Sequence, residues 1–173
     1  IMSTAIVTHK DCILHNTGEN HPESKFRLIA INKTLKKFNS EKIKWFQGDK
    51  IDSKYLLNVH SKKYFDDILQ KSPKENSINL DADTVLSKHS LDAALKASGS
   101  SCKAVDIVFN GKFNNAFCPI RPPGHHAEPN KAMGFCFFNN IAIAAYYAKF
   151  KYKIKKCAVI DFDVHHGNGT QKM

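Results

Sequence analysis

Residues 158–170, AVIDFDVHHGNGT, constrain the fold of this chain more than any other segment. The run that leads into them, residues 157–160, is apolar and contains β-branched side chains. Such a run predicts a strand that is buried on both faces, as in a parallel sheet. Polar residues then alternate with Phe162 and Val164. Because successive side chains of a strand point to opposite faces, we expect the polar residues to share one face while Phe162 and Val164 pack on the other.

The polar positions of this segment predict a metal site. Asp161, Asp163 and His165 would bring two carboxylates and an imidazole to one strand end, and these groups suit a divalent metal. Gly167 and Gly169 would allow a tight backbone turn over such a site. A short Asp-x-His motif alone is more often a solvated turn, since short motifs match by chance. Here the motif follows an apolar strand, and we therefore favour the metal interpretation.

The rest of the chain alternates predicted strands with predicted helices. Strands are expected at residues 5–9, 45–46 and 116–120. Helices are expected at residues 24–38, 61–69, 90–109 and 139–149, with a further helical piece that starts at Asp52 or Ser53. Residues 71–80 are polar and contain Pro73, which predicts a loop. No repeat or domain linker is visible, so the pattern indicates one α/β domain with a mainly parallel sheet.

The charge of the chain does not identify a partner. It carries 26 Lys and Arg against 16 Asp and Glu, a formal net charge of +10. A field of that sign attracts polyanions. The lysines, however, are spread over predicted helices and loops, and no zinc-finger or glycine-rich phosphate loop accompanies them. We predict a solvated lysine-rich surface and do not expect a nucleic-acid partner.

Hydropathy and cysteine usage bear on the compartment. The longest apolar stretch near the end, residues 141–148, is far shorter than the roughly 18 residues of a membrane span. The N-terminus lacks the basic start and long apolar core of a signal peptide. The 5 cysteines are scattered without a Cys-x-x-Cys pair, which is typical of reduced, buried thiols. We predict a cytoplasmic protein without membrane contact.

A second stretch with candidate catalytic side chains follows the predicted strand at residues 116–120. It reads RPPGHHAEPNKAMGFCFFNN, residues 121–140, and places His125 and His126 where the carboxyl ends of parallel strands gather ligands. One imidazole can take a proton from a metal-bound water, and a second can stabilise developing negative charge. Asp161 and Asn168 are the candidate partners that would distinguish the two rings.

At these residues the chain resembles a known family. The blocks RPPGHHA, GFCFFNN and DFDVHHGNGTQ are similar to signatures of the histone deacetylase superfamily, which includes acetylpolyamine amidohydrolases and acetoin-utilisation-type deacetylases. HPESKFRL at residues 21–28 and DADT at residues 81–84 also resemble family patterns. Asn168 resembles the class II members, because class I members usually carry aspartate there.

The resemblance implies an arginase/deacetylase-like three-layer α/β fold with a mainly parallel central sheet. It covers nearly the whole chain but only about the first half of a family domain. We therefore expect residues 1–173 to be the N-terminal part of a single deacetylase domain, incomplete at the C-terminus.

The resemblance also implies which residues hold metal ions. Asp163 and His165 match the first two zinc ligands, and Asp161, Asp163 and the His165 carbonyl match part of a structural potassium site. The related arginase group uses two manganese ions and carries a further aspartate at the position of Gly167. The glycine at that position favours a single catalytic metal.

For catalysis, the resemblance implies hydrolysis of an acetyl or acyl amide by a metal-activated water. His126 matches the general base and acid, and His125 matches the electrostatic helper. Asp161 matches the partner of His125, and Asn168 lies where the partner of His126 is found.

For substrate binding, Gly134 and Phe135 match the walls of an acyl-lysine tunnel. Either Asp81 or Asp83 matches the rim aspartate that holds the substrate backbone. Acetylated lysines of proteins, acetylated polyamines and small acetylated metabolites would share one tunnel, so the sequence leaves the substrate open. It also leaves the oligomeric state open.

Two parts of the family site match no position of this chain. These are the third zinc ligand, a downstream aspartate, and the tyrosine or histidine that helps to hold the oxyanion. Catalytic zinc normally has three protein ligands, so two would bind it weakly. We expect a fragment with little or no deacetylase activity of its own, from a parent protein that has the activity.

Two alternatives belong to other functional classes. A non-catalytic protein that binds acyl-lysine or polyamine would keep Gly134 and Phe135 but would gain nothing from His125 and His126. A basic nucleic-acid-binding module would bind in a salt-dependent way that ignores zinc chelators. The intact histidine pair and the Asp163–His165 motif favour the enzyme over both alternatives.

Overall fold

The computed structural model describes residues 2–38 and 40–173. The strands are β1 (Thr4–Thr8), β2 (Ile43–Gln47), β3 (Ser77–Asn79), β4 (Val85–Ser87) and β5 (Asn115–Phe117). The helices are α1 (Lys25–Leu35), α2 (Ser53–Leu56), α3 (Lys62–Lys71), α4 (Ser90–Phe109), α5 (Asn140–Tyr152) and α6 (Asn168–Lys172), with a short 3-10 helix at Lys10–Ile13. None of the helices in these residues is both long enough and apolar enough to cross a bilayer.

The central sheet is parallel, with strand order β2–β1–β5. Ile6 of β1 is in register with Trp45 of β2 and with Phe117 of β5. Ala5 and Val7 are fully buried beneath helix α4, as expected for the middle strand of a covered parallel sheet. The predicted α/β class and parallel sheet are therefore confirmed.

Helices α1, α2 and α3 begin where the sequence predicted, because polar side chains cap them. The Ser24 hydroxyl accepts a hydrogen bond from the Phe26 N–H at 3.3 Å at the start of α1. The Asp52 carboxylate accepts one from Lys54 N–H at 3.0 Å at α2, and Ser61 caps α3 through Tyr64 N–H at 3.2 Å. Each contact satisfies a backbone donor that has no partner within its own helix.

Helix α4 connects the sheet to the rest of the core. Its length, Ser90–Phe109, is the length predicted from the sequence, and it packs against both β1 and α5. The main core then extends through the aromatic residues of the loop that follows β5, where Phe137 and Phe138 are each only 1% exposed. Tyr64 of α3 donates a hydrogen bond to the Phe137 carbonyl at 2.6 Å. The GFCFFNN block thus anchors this loop in the core.

A buried ion pair fixes the start of the same loop. Arg121 is fully buried, and its Nε and Nη2 donate to the two carboxylate oxygens of Glu23 at 2.6 and 2.7 Å. Its Nη1 donates to the carbonyls of Cys12 and His15 at 3.1 and 3.0 Å. The N-terminal segment and the loop are therefore held together by a bidentate pair with its remaining donors largely satisfied.

One sequence expectation is wrong. Residues 157–164 form no strand, and their apolar side chains are exposed: Ile160 is 87%, Phe162 96% and Val164 93% exposed. A strand needs a neighbouring strand to satisfy its N–H and C=O groups. No other segment among residues 2–38 and 40–173 pairs with this one, so its local preference for a strand is not realised.

Two smaller expectations are also corrected. The polar stretch predicted as a loop contains β3, which forms an antiparallel hairpin with β4 in which Ile78 is opposite Leu86. The expectation of buried thiols holds for Cys12, Cys102 and Cys136 but not for Cys157, which is exposed.

Two buried histidines are neutral in this fold. The Asn139 N–H donates to His60 Nε2 at 2.9 Å, so the ring proton is on Nδ1, which donates to the Glu128 carbonyl at 3.0 Å. Burial lowers the pKa of both His15 and His60 to about 4. Protonating His60 would put a proton on Nε2, the atom that accepts the hydrogen bond from the Asn139 N–H.

The folded state should therefore lose stability as the pH falls from about 6.5 to about 4. Between these values the unfolded chain binds protons that the folded chain does not, and each histidine contributes up to roughly 3 kcal/mol over the interval. The free energy of unfolding, measured with urea at several pH values in this range, should fall steeply with decreasing pH in wild type. It should fall less steeply in His60→Gln. The exposed His89 provides the control variant His89→Gln, which should keep the wild-type slope. An unchanged slope in His60→Gln would contradict the assignment of a buried neutral ring.

Candidate active site

Two segments meet at the candidate site: the loop after β5 and residues 161–168. Nδ1 of His125 lies 2.9 Å from the Asp161 carboxylate, and Nδ1 of His126 lies 2.7 Å from the Asn168 side-chain oxygen. The two imidazole rings lie side by side, tilted by 44° to one another, with centroids 4.0 Å apart. The structure thus brings together the four residues that the sequence assigned to catalysis, in the pairs expected.

The partners of the two histidines determine their tautomers. A carboxylate oxygen and an amide oxygen accept hydrogen bonds, so the proton of each ring lies on Nδ1. The same hydrogen bond lowers the pKa of the Asp161 carboxyl below its ordinary value. Nε2 of His126 is thereby left with a lone pair that can accept a proton.

The two predicted zinc ligands lie beside the histidine pair. The His165 N–H donates to the Asp163 carboxylate at 2.8 Å and lowers the pKa of that carboxyl. The His165 ring lies 6.1 Å from the His126 ring, centroid to centroid. Asp163 N–H in turn donates to Asp161 at 3.2 Å, so the short segment folds back on its own carboxylates.

These two residues fit part of a zinc site by the chemistry of their donors. A carboxylate oxygen and an imidazole nitrogen are both common zinc ligands. Residues 2–38 and 40–173 contain no group of three His, Cys, Asp or Glu side chains placed to hold a metal ion. Asp163 and His165 would therefore need at least one further protein ligand to match a catalytic zinc centre.

A cavity of about 310 Å³ opens over the histidine pair. Its lining includes Gly134, Phe135 and one of the two candidate rim aspartates, together with both predicted zinc ligands. The full lining is Pro22, Glu23, Arg27, Asp83, Pro123, His125, His126, Gly134, Phe135, Asp163 and His165. A mixed lining of aromatic and convergent polar groups is typical of a small-molecule or side-chain pocket.

The two candidate rim aspartates, Asp81 and Asp83, differ in their position relative to the cavity. Asp83 lines the cavity, and its carbonyl lies 3.0 Å from His21 Nε2. Asp81 does not line the cavity; its carboxylate accepts the N–H groups of Asp83 and Thr84 at 3.1 and 2.7 Å. Asp81 therefore closes the turn that presents Asp83.

Gly134 is required by its contact with the proposed base. Its φ is +55°, and a Cβ at this position would lie 2.4 Å from Cδ2 of His126. The next residue, Phe135, is also left-handed with φ of +69°, and its N–H donates to the Thr84 hydroxyl at 3.1 Å. The Phe135 ring packs edge-on against His21 with centroids 4.9 Å apart. This turn forms one wall of the cavity directly against His126.

The structure leaves no room for a side chain at Gly167, the position that corresponds to an aspartate in the arginase group. A Cβ there would lie 2.3 Å from the Asp161 carboxylate and 3.3 Å from Nδ1 of His125. Any side chain would displace the hydrogen bond between these two residues. The close packing at Gly167 thus protects the contact between Asp161 and His125.

Sequence reasoning missed Glu128 and Thr84 as parts of the site. Glu128 accepts hydrogen bonds from the Asn168 side-chain nitrogen at 2.9 Å and from Lys172 at 2.6 Å. The Lys172 hydrogen bond lowers the pKa of the Glu128 carboxyl. The sequence did contain a signal for Glu128. This residue follows His126 by two positions in the same loop, and its carboxylate could therefore interact with the groups that orient the His126 ring.

Comparisons with known proteins agree with this geometry. The histone deacetylase domain family matches residues 21–173. A probable deacetylase of Archaeoglobus fulgidus is 37% identical over 175 residues, covering 99% of this chain and 48% of the relative. Type-2 histone deacetylase 2 of Dictyostelium discoideum is 34% identical over 204 residues, covering 98% of this chain and 12% of the relative.

A solved structure has the same fold. The crystal structure of the HDA15 HD domain superposes with a TM-score of 0.91 and 34% sequence identity, and it covers 99% of this chain. The chain spans about half of the archaeal relative, 48%, and about half of the HDA15 chain, 49%.

The contact between Gly134 and His126 gives a prediction. In Gly134→Ala, both the left-handed φ and the collision with the His126 ring oppose the new methyl group. Gly111→Ala is the matched control, because Gly111 has φ of +69° but nothing within 4 Å of its Cβ position. Urea unfolding should show a loss of about 1 kcal/mol for Gly111→Ala. The loss for Gly134→Ala should be larger by roughly 1–3 kcal/mol. Equal losses would show that the ring does not constrain this position.

Proposed function

Because the chain belongs to the histone deacetylase family, we propose that the protein containing it is a zinc-dependent deacetylase. It would hydrolyse the amide that joins an acetyl group to a lysine side chain or to a polyamine. The single observation that carries this proposal is the pair of oriented histidines, His125 with Asp161 and His126 with Asn168, under a cavity that Asp163 and His165 also line.

Asp163 and His165 would hold the zinc ion, with a further ligand from the full-length protein. When bound, zinc would polarise the amide carbonyl and lower the pKa of a water molecule toward about 7. A structural potassium ion at Asp161, Asp163 and the His165 carbonyl is a further proposal, supported by the closeness of the two carboxylates to one backbone turn.

His126 would move the proton. Its Nδ1 proton is held by Asn168, so Nε2 is free to accept a proton from the attacking water and to deliver it to the departing amine nitrogen. A neutral amide partner leaves the ring free to give the proton up again. His125, held by the Asp161 carboxylate, would stabilise negative charge that develops on the carbonyl oxygen.

The cavity walls suggest how the acyl chain would bind. Gly134 and Phe135 would flank a slender acyl-lysine or acyl-polyamine chain, and Asp83 at the rim would accept a hydrogen bond from the substrate backbone or attract a second ammonium group. Acetylated proteins, acetylated polyamines and small acetylated amides are all candidate substrates. We also propose that residues 1–173 are part of one deacetylase domain and that the protein acts in the cytoplasm, where its free cysteines would stay reduced.

The test uses the full-length protein that contains this chain. Hydrolysis of an acetyl-lysine peptide and of an acetylated polyamine should be abolished by a zinc chelator and restored by added zinc. His126→Ala should lower kcat by roughly 10²–10⁴-fold, because general base catalysis is lost. His89→Ala, at an exposed position away from the cavity, should keep the wild-type kcat.

Two results would contradict the proposal. Full turnover in the presence of chelator would exclude the zinc mechanism, and full turnover by His126→Ala would exclude the assigned base. A folded protein that binds zinc and acetyl-lysine without turnover would instead establish the non-catalytic binder.

A further inference from the structure

Glu128 lies behind the partner of the proposed base. Its Oε1 accepts hydrogen bonds from Nδ2 of Asn168 at 2.9 Å and from Nζ of Lys172 at 2.6 Å. Its backbone is fixed as well, since the N–H donates to the Lys131 carbonyl at 2.9 Å and the carbonyl accepts from His60 at 3.0 Å. The side chain is only 18% exposed. The carboxylate is therefore held in one place against the Asn168 amide.

The direction of these hydrogen bonds constrains Asn168. An ionised carboxylate only accepts hydrogen bonds, so Asn168 must turn its NH₂ group toward Glu128. The other neighbour on that side, the Met133 sulfur at 3.5 Å, is also an acceptor. With the NH₂ group directed there, only the side-chain oxygen of Asn168 is left to face His126.

The opposite amide orientation would disable the base. If the NH₂ group of Asn168 faced His126, it would donate to Nδ1 and the ring proton would lie on Nε2. The atom that has to accept a proton from water would then already carry one. An asparagine amide has no intrinsic preference between these orientations, so a neighbour must select one.

We propose that Glu128 is a positioning residue that selects the amide orientation of Asn168 and thereby keeps Nε2 of His126 free of a proton. Its catalytic consequence rests on the proposed function, but its effect on the His126 tautomer does not. Lys172 supports the arrangement because its ammonium group favours the ionised carboxylate.

The same contact explains why an amide suits position 168. An aspartate there would place a second carboxylate about 2.9 Å from that of Glu128, and two such charges repel strongly in a half-buried site. An alanine at position 128 would remove the repulsion. It would also remove the selection when Asn168 is present, because the NH₂ group of Asn168 loses its carboxylate acceptor. A glutamine would not remove the selection, since Lys172 donates to the same Oε1 atom as Asn168 and would hold a glutamine oxygen there.

The test is a double-variant cycle in the full-length protein with ¹⁵N-labelled histidine. NMR chemical shifts report which ring nitrogen of His126 carries the proton, with the resonance assigned from His126→Asn. Wild type should show the proton on Nδ1 alone. Glu128→Ala should show both tautomers, with kcat lowered about twofold or more, in proportion to the share of rings protonated on Nε2, and KM unchanged.

The decisive variant is Glu128→Ala combined with Asn168→Asp. A carboxylate at position 168 accepts from His126 in either orientation, so the double variant should return the proton to Nδ1 and recover most of the kcat lost in Glu128→Ala. Asn168→Asp alone should be impaired in stability and in kcat by the two facing carboxylates. Glu75→Ala, at an exposed loop position, is the matched control and should behave as wild type.

Each result decides a separate claim. A His126 tautomer unchanged in Glu128→Ala, or a double variant that is no better than either single variant, overturns the role of Glu128. If Glu128→Ala shifts the tautomer but neither wild type nor any variant shows deacetylase turnover, the role of Glu128 is supported and the proposed function is overturned. If Glu128→Ala does not fold, the comparison of Asn168→Asp with the double variant still decides the claim.

Discussion

The buried ion pair of Arg121 and Glu23 is the contact on which the site depends. It lies four residues before the histidine pair and joins the loop after β5 to the N-terminal segment, with four hydrogen bonds from one guanidinium group. Breaking one partner of such a pair leaves a buried charge without compensation, at a cost of about 3–5 kcal/mol. The far end of the loop is fixed by Phe137 and Phe138 in the core and by the Asn139 cap of α5. Between these two anchors, His125 and His126 have little freedom.

The two histidines of this anchored loop have hydrogen-bond partners that differ in charge. His125 is held by a carboxylate, whereas His126 is held by the Asn168 amide. That amide donates to the Glu128 carboxylate, which also accepts a hydrogen bond from Lys172. Two adjacent rings of the same chemical type thereby receive different surroundings. Such a difference is what general acid–base catalysis needs when one ring is to carry charge and the other is to exchange a proton.

Local sequence patterns predicted much of this arrangement. The capped helices and the long helix α4 followed from hydrophobic periodicity and from polar capping residues, whose effects are local. The pairing of His125 with Asp161 was implied by the family resemblance, whereas the residue pattern alone offered Asp161 and Asn168 only as candidate partners of the two rings. Residues 157–164 could not be predicted in the same way, because a strand depends on a partner that a local pattern cannot supply. Glu128 was missed for a related reason: its role is set by Asn168 and Lys172, which lie 40 and 44 positions away.

The central proposal is that Asp163 and His165 hold a zinc ion next to His126. Its most direct test is a crystal structure of the full-length protein grown with zinc, with diffraction data collected on both sides of the zinc absorption edge. The account predicts one anomalous peak within about 2.0–2.2 Å of an Asp163 oxygen and a His165 nitrogen, with His126 next to it but not bound to it. A peak that avoids Asp163 and His165, or a peak coordinated by Nε2 of His126, would contradict the account.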